Sequence, residues 1–285
     1  MLKNNNIITF THFSKIFTLL ILIISFQSIT LLAQEKIQRD SITRILKSQP
    51  SFTIYKDNYF ITGTTFDESP TIKNSDIKMQ ISFKQRITNS SLPFKSYLYL
   101  TFTQKSFWKI YEKSSPFQEN IFNPGLGLGK FIFKNGKQIG VLMFQVEHES
   151  NGRDSTFSRS WNYTSVSYMA LLSPQITVIA KAWIPFSMND NNNITDFAGY
   201  GEVTINWEII KNKLQVNALI RKGAKLNLNG SIQTGIYYNP LKHSNQYIYL
   251  QFYDGYGENL LNYDRLTNKI RLGICIHPSM GIFNH

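Results

Sequence analysis

From residue 50 to the end, the chain is a succession of stretches of about ten residues in which side chains of opposite character alternate, separated by Asn, Gly, Asp, Pro and Lys. Alternation with period two is the pattern of β-strands with two unlike faces. Twelve such stretches are predicted, at 53–62, 76–87, 95–104, 126–133, 139–150, 161–171, 174–184, 197–207, 213–222, 227–238, 245–253 and 268–276. The 21 Phe and 15 Tyr suit them, because strands absorb aromatic residues readily. Turn chemistry is explicit at Lys134-Asn135-Gly136-Lys137, an Asn-Gly hairpin, and in the polar loop Asp190 to Asn193. Helical periodicity is confined to a short amphipathic piece near 36–48, and no repeat or linker divides residues 51–285, which are expected to form one all-β domain.

The first 33 residues stand apart. Lys3 and Lys15 precede the apolar run Ile16 to Leu32, which closes on Leu31-Leu32-Ala33. That order is expected of an export signal removed after Ala33; a transmembrane anchor is the competing reading, although the unbroken apolar part is short for a spanning helix. Residues 34–50 then form an N-terminal segment. The formal charge of +12 falls to +10 once Lys3 and Lys15 leave. The remaining Lys and Arg are scattered singly among aromatics without a nucleic-acid motif, so an anionic lipid or polysaccharide surroundings is expected and no nucleic-acid partner. Cys275, the one cysteine, can close no intramolecular disulfide.

A soluble sandwich and a membrane barrel can both carry twelve strands, and the faces decide between them. In 139–150 one face holds Leu142, Phe144 and Val146, the other Gln145, Glu147 and Glu149; in 174–184 one face holds Ile176, Val178, Ala180 and Ala182. Apolar outside, polar inside and an even strand number describe an outer-membrane antiparallel barrel, and an exported chain without a membrane helix can span only in that way.

Chemistry concentrates in residues 148–162. His148 and Ser150 share a face, and Asn162 returns beside His148 if a hairpin is centred on Ser155. A hydroxyl, a base and a group that orients the base make an activated nucleophile. The three continue the apolar stripe of the barrel exterior, so they are expected near the membrane interface, at the depth of lipid esters. Glu147 and Glu149 have the look of a paired-carboxylate site but belong more naturally to a bonded lumen. His243 and His277 are isolated, and Gly125-Leu126-Gly127-Leu128-Gly129 lacks the helix a phosphate loop needs.

His148-Glu149-Ser150-Asn151-Gly152-Arg153 with Ser158-Arg159-Ser160-Trp161-Asn162 resembles the active-site signature of the bacterial outer-membrane phospholipase A family. Phe102 to Trp108, Ser114-Ser115-Pro116-Phe117, Asn123-Pro124 and Tyr253 to Leu260 extend the resemblance over roughly residues 75–277. It implies a twelve-stranded barrel, Ca2+-dependent hydrolysis of phospholipid acyl esters at both glycerol positions and of lysophospholipids, and activation as a homodimer. Carried over by residue, it makes Ser150 the nucleophile, His148 the base, Asn162 the orienting group and the Gly152 N–H an oxyanion donor. The backbone carbonyls of Arg153 and Ser158 and the hydroxyl of Ser114 from a second subunit would bind calcium, with Ser115 the alternative to Ser114. Asp154 is a further candidate ligand, and Gln104 falls at a dimer contact. The chain departs from barrel habit at its end, where Phe283 rather than the last residue is aromatic. The competing function is a passive or structural barrel, including an inactive relative.

Overall fold

The computed structural model describes residues 50–88, 92–134, 137–188, 191–241 and 244–277. Its strands are β1 (Phe52–Ile54), β2 (Asn58–Thr64), β3 (Ser75–Arg86), β4 (Tyr97–Trp108), β5 (Phe117–Lys134), β6 (Lys137–Ser150), β7 (Ser160–Ser173), β8 (Ile176–Phe186), β9 (Gly201–Ile210), β10 (Leu214–Lys222), β11 (Gly230–Tyr238), β12 (Gln246–Gly255) and β13 (Thr267–Ile276). Each strand from β2 onward pairs antiparallel with the next, and β13 returns to β2 with Ile274 opposite Phe60, so the sheet closes. β1 and β2 lie along the same neighbour, β3, and occupy one position in two pieces, giving a twelve-stranded antiparallel barrel. All twelve predicted strands are present. The expected export signal at 1–33, the amphipathic piece at 36–48, Asn135-Gly136, Asp190, His243 and Phe283 lie outside the described residues.

Three boundaries differ from expectation for physical reasons. The first strand breaks at Tyr55–Asp57, where side chains replace the ladder: the Ser82 Oγ accepts from the Lys56 N–H at 3.2 Å, and the Gln80 amide donates to the Asp57 carbonyl at 2.7 Å. β5 begins at Phe117, well before 126, although Asn120, Asn123 and Pro124 read as breakers. Proline cannot donate to a ladder: toward β6 the pairing passes over Asn123 and Pro124, from Phe122↔Ser150 to Gly125↔Glu147 in unchanged register, while the opposite edge still matches Phe102 with Pro124. The stretch before β9 forms a single helical turn, α1 (Thr195–Ala198), ended by Gly199 at φ 69°.

The faces follow the predicted parity. Leu126, Leu128, Leu142, Phe144, Val146, Val166, Ile184, Leu272 and Ile274 are exposed on the outside, where lipid covers them, and an outer-membrane location follows from such a closed apolar exterior. Inside, polar groups are buried and paired. Arg271 lies 2.7 Å from Asp76 and 2.6 Å from Glu258, Lys78 is 3.0 Å from Glu258, and Lys181 is 2.7 Å from Glu147. Tyr237 and Tyr249 stack at 4.5 Å toward one end of the lumen. At the other, Phe107, Ile121, Trp161, Tyr163, Trp183, Ile194, Leu260 and Tyr263 cluster beneath the connections. Those connections are long (65–74, 109–116, 151–159, 187–200, 223–229, 256–266), whereas the opposite end has turns as short as 174–175. Barrels of this kind keep short turns on the periplasmic side and long loops outside.

Candidate active site

The β6–β7 hairpin builds the site. Its register pairs His148 with Asn162 and Ser150 with Ser160, as expected for a hairpin centred on Ser155. The His148 Nδ1 and the Asn162 Oδ1 are 2.9 Å apart. An amide oxygen can only accept, so the imidazole carries its hydrogen on Nδ1 and keeps Nε2 free to act as a base. From the lumen side, the Asn123 amide donates to the His148 carbonyl at 2.9 Å and to the Tyr163 hydroxyl at 3.1 Å, fixing the strand behind the imidazole. Ser150 follows on the face of His148, at the long-loop end of β6. Such a set can activate a hydroxyl for attack on an acyl carbon.

Beyond Ser150 the chain turns through residues 151–159, held by Asn151. This buried side chain accepts from the Arg159 N–H at 3.0 Å and the Arg153 N–H at 3.3 Å, and donates to the Phe157 carbonyl at 2.9 Å and to Glu119 at 3.2 Å. Glu119 is fully buried on β5. In the sequence Asn151 carries one signal of this role, an Asn opening a polar loop, where side chain–backbone bonds are common. Gly152 adopts φ 63°, and a Cβ there would sit 3.2 Å from the Phe122 ring. Glycine therefore sets the direction of the N–H next to the serine. Asn191, another unforeseen support, accepts from the Ser160 N–H at 2.9 Å.

The other candidate residues gather around the same end. Gln104 on β4 pairs with Ile81 and Phe122, and Phe122 in turn pairs with Ser150, so Gln104 is a polar group among apolar ones on the outer face, two strands from the serine. Ser114 and Ser115 occupy the 109–116 turn, both with positive φ. Ser115 donates to the Ile110 carbonyl at 2.9 Å, while Ser114 is exposed. Arg153 is exposed, and its guanidinium donates to the Gln118 carbonyl. The Ser158 carbonyl accepts from the Arg159 guanidinium at 2.7 Å. Asp154 is exposed and its side chain caps no backbone group. Among the described residues no three His, Cys, Asp or Glu converge on a metal position. Any cation here would rest on carbonyl and hydroxyl oxygens, which suits a hard ion such as calcium.

Beside His148 and Asn162, Leu100, Pro124, Leu126 and Val146 line an open apolar groove of about 230 Å³ on the barrel exterior. Glu147 and Glu149 have structural partners: Ser165, Tyr163 and Lys181 bind the first, Trp161 the second. His277 binds Asp57 at 2.6 Å, and Gly125 is packed so closely that a Cβ would meet Thr101 at 2.7 Å, a packing role rather than a phosphate loop.

The model of the family described as Phospholipase A1 matches residues 34–276. A Neisseria meningitidis protein provisionally named phospholipase A1 is 30% identical over 233 residues, which are 77% of this chain and 59% of the relative. The chain thus spans about three-fifths of that relative's length. Phospholipase A1 of Salmonella typhimurium is 29% identical over 247 residues, 79% of this chain and 82% of the relative. The crystal structure of the Salmonella typhi outer membrane phospholipase dimer with bound calcium superposes with a TM-score of 0.71 at 28% identity, covering 83% of this chain and 96% of that one.

Proposed function

This chain belongs to the phospholipase A1 family, and from that premise we propose that it hydrolyses the acyl esters of membrane glycerophospholipids and lysophospholipids, at both glycerol positions, through Ser150, His148 and Asn162. The observation that carries the reading is the 2.9 Å contact between His148 and Asn162 on the outer barrel face, one strand step from Ser150.

In this mechanism the His148 Nε2 takes the Ser150 proton as Oγ attacks the ester carbonyl carbon, and Asn162 keeps the imidazole oriented through Nδ1. The Gly152 N–H donates to the oxygen that becomes negative. His148 then returns the proton to the departing glycerol oxygen, leaving an acyl group on Ser150. Water, deprotonated by the same imidazole, releases the fatty acid. The apolar groove flanking His148 gives an acyl chain a seat without leaving the bilayer.

Calcium fits the oxygens available: the carbonyls of Arg153 and Ser158 on the exposed 151–159 loop and the hydroxyl of Ser114 from a second subunit. Held by these residues, the ion would supply positive charge that stabilises a developing oxyanion. Because Ser115 is engaged with Ile110, Ser114 is the better donor of the two. In this reading the active form is a homodimer, with Gln104 at the contact.

The test is fatty-acid release from phospholipid in detergent micelles, with calcium or chelator, for wild type and Ser150→Ala. Calcium-dependent release lost in Ser150→Ala is expected. Release that survives the substitution would overturn the site, and none from a folded wild type would favour the passive barrel. The ion pairs and rings that fill the lumen already argue against a water-filled pore.

A further inference from the structure

The two rims of the barrel differ in charge. The long connections mix signs: Asp67, Glu68, Glu112, Asp154, Asp196 and Asp264 lie among Lys73, Lys109, Lys113, Arg153 and Lys225. Among the described residues, the short-turn connections contain no acid at all, while Lys95, Lys211 and Lys213 stand exposed on them and Lys134 stands exposed at the end of β5. Glu208, on the neighbouring part of β9, is buried and accepts the Asn212 N–H.

One sector of this rim is more than a scatter of lysines. Lys130 pairs with Leu142, which is exposed on the lipid side, so its stem leaves the barrel on the face of Leu128 and Leu142. A cation on that face needs an anion at the interface or must stretch to water. The ladder puts Tyr97 opposite Gly129, so Lys95, two residues before Tyr97, lies alongside the part of β5 between Lys130 and Lys134. The turn bearing Lys95 is unusual as well. Phe94 and Lys95 both take positive φ (62° and 57°), which side chains other than glycine rarely do in succession. Bonds fix this turn: Leu92 N–H to the Ser96 carbonyl at 2.8 Å, Lys95 N–H to the Leu92 carbonyl at 3.1 Å, and the Ser96 hydroxyl to the Pro93 carbonyl at 2.9 Å. Its effect is to leave the Phe94 ring 84% exposed beside a lysine. An aromatic ring with adjacent cations at interface depth is the combination that holds an acidic lipid, the ring among the upper acyl chain and the ammonium groups on the phosphate.

The geometry points to a binding site for an anionic glycerophospholipid in the leaflet on the short-turn side, made by Phe94, Lys95, Lys130 and Lys134. It lies at the end of β5 and β6 opposite the catalytic hairpin. It therefore anchors and orients the barrel without taking part in hydrolysis, and it does not depend on the proposed enzyme activity.

Native mass spectrometry of the full-length barrel tests it, using ether-linked phosphatidylglycerol and phosphatidylcholine, which a phospholipase cannot cleave, added in equal amounts to the micelles. Wild type is expected to retain phosphatidylglycerol preferentially. The triple variant Lys95→Gln, Lys130→Gln, Lys134→Gln is expected to lose that preference, by roughly 5-fold per lysine if each contributes about the usual basic-residue increment at a membrane surface. The variant Lys211→Gln, Lys213→Gln removes charge from the same rim outside the site and is expected to keep the preference. Equal retention of both lipids by wild type would overturn the site. So would an equal loss in the double variant, which would reduce the effect to general rim charge. Heat-dependent gel mobility confirms that each variant is a folded barrel, and Phe94→Ala, which leaves every charge in place, is expected to weaken retention of phosphatidylglycerol.

Discussion

His148 is steadied by an amide where many serine hydrolases use a carboxylate, and that choice sets what its loss should cost. Asn162 contributes geometry through the 2.9 Å contact but little charge to stabilise an imidazolium. In the proposed mechanism Asn162→Ala should therefore lower kcat by on the order of 10- to 100-fold, short of the ~10⁴ seen when a triad carboxylate is neutralised with the wrong tautomer. Steady-state hydrolysis at saturating calcium measures it, and a loss as complete as that of Ser150→Ala would mean that Asn162 does more than orient. These three residues were legible because strand parity and hairpin symmetry act over a few residues. Asn151 was not legible: its four bonds reach Phe157, Arg153, Arg159 and Glu119, and the last comes from another strand. Asn151→Ala should loosen the loop that carries the proposed calcium carbonyls. About 1–3 kcal/mol of lost hydrogen bonding should appear as weaker calcium binding by calorimetry, with barrel mobility on gels unchanged.

At the scale of elements, alternation located all twelve strands but misjudged what could interrupt them. Alternation places the start of this strand at 126, yet β5 runs back through Asn123 and Pro124, because a barrel strand has two ladders and Pro124 remains opposite Phe102 on one of them. The break at Tyr55–Asp57 was equally invisible, since the groups that fill it come from β3. The 256–266 connection offers a test of how such long-range pairs hold an element. Glu258 on it is buried, and burial alone would raise its carboxyl pKa. Arg271 foremost, with Lys78, outweighs that and holds it down at about 2. A carboxyl lowered from its unfolded value of about 4.3 gives stability that is complete above that pH and is lost as pH falls toward 2. Glu258→Gln leaves two buried cations short of their partner, so a cost of about 3–5 kcal/mol at pH 7 is expected. In denaturant unfolding followed by fluorescence, the gap between wild type and variant should stay constant from pH 7 to 5 and narrow below about 4. A gap unchanged at pH 3 would contradict this assignment of the ion pairs.

For the molecule as a whole, the calcium site proposed above draws on two subunits. The 151–159 loop offers carbonyls, Ser114 stands exposed on a separate connection, and no carboxylate cluster among the described residues could replace a missing ligand. If a two-fold dimer lends each subunit the other's Ser114, defects in different parts of the site must complement across the interface. Ser150→Ala lacks the nucleophile but can lend its Ser114; Ser114→Ala keeps the nucleophile but cannot lend. Each variant alone should be inactive or nearly so at limiting calcium. Mixed in equal amounts and allowed to exchange in micelles, half of the dimers should be hybrids, each with one intact site, restoring about a quarter of wild-type sites. Calcium-dependent fatty-acid release from the mixture reads this directly. Release equal to the mean of the two separate variants would mean that each chain binds its own calcium, and that Ser114 serves another purpose. Ser115→Ala is the internal control. Its hydroxyl is committed to the Ile110 carbonyl, so mixing it with Ser150→Ala should add nothing beyond the activity that Ser115→Ala already has alone.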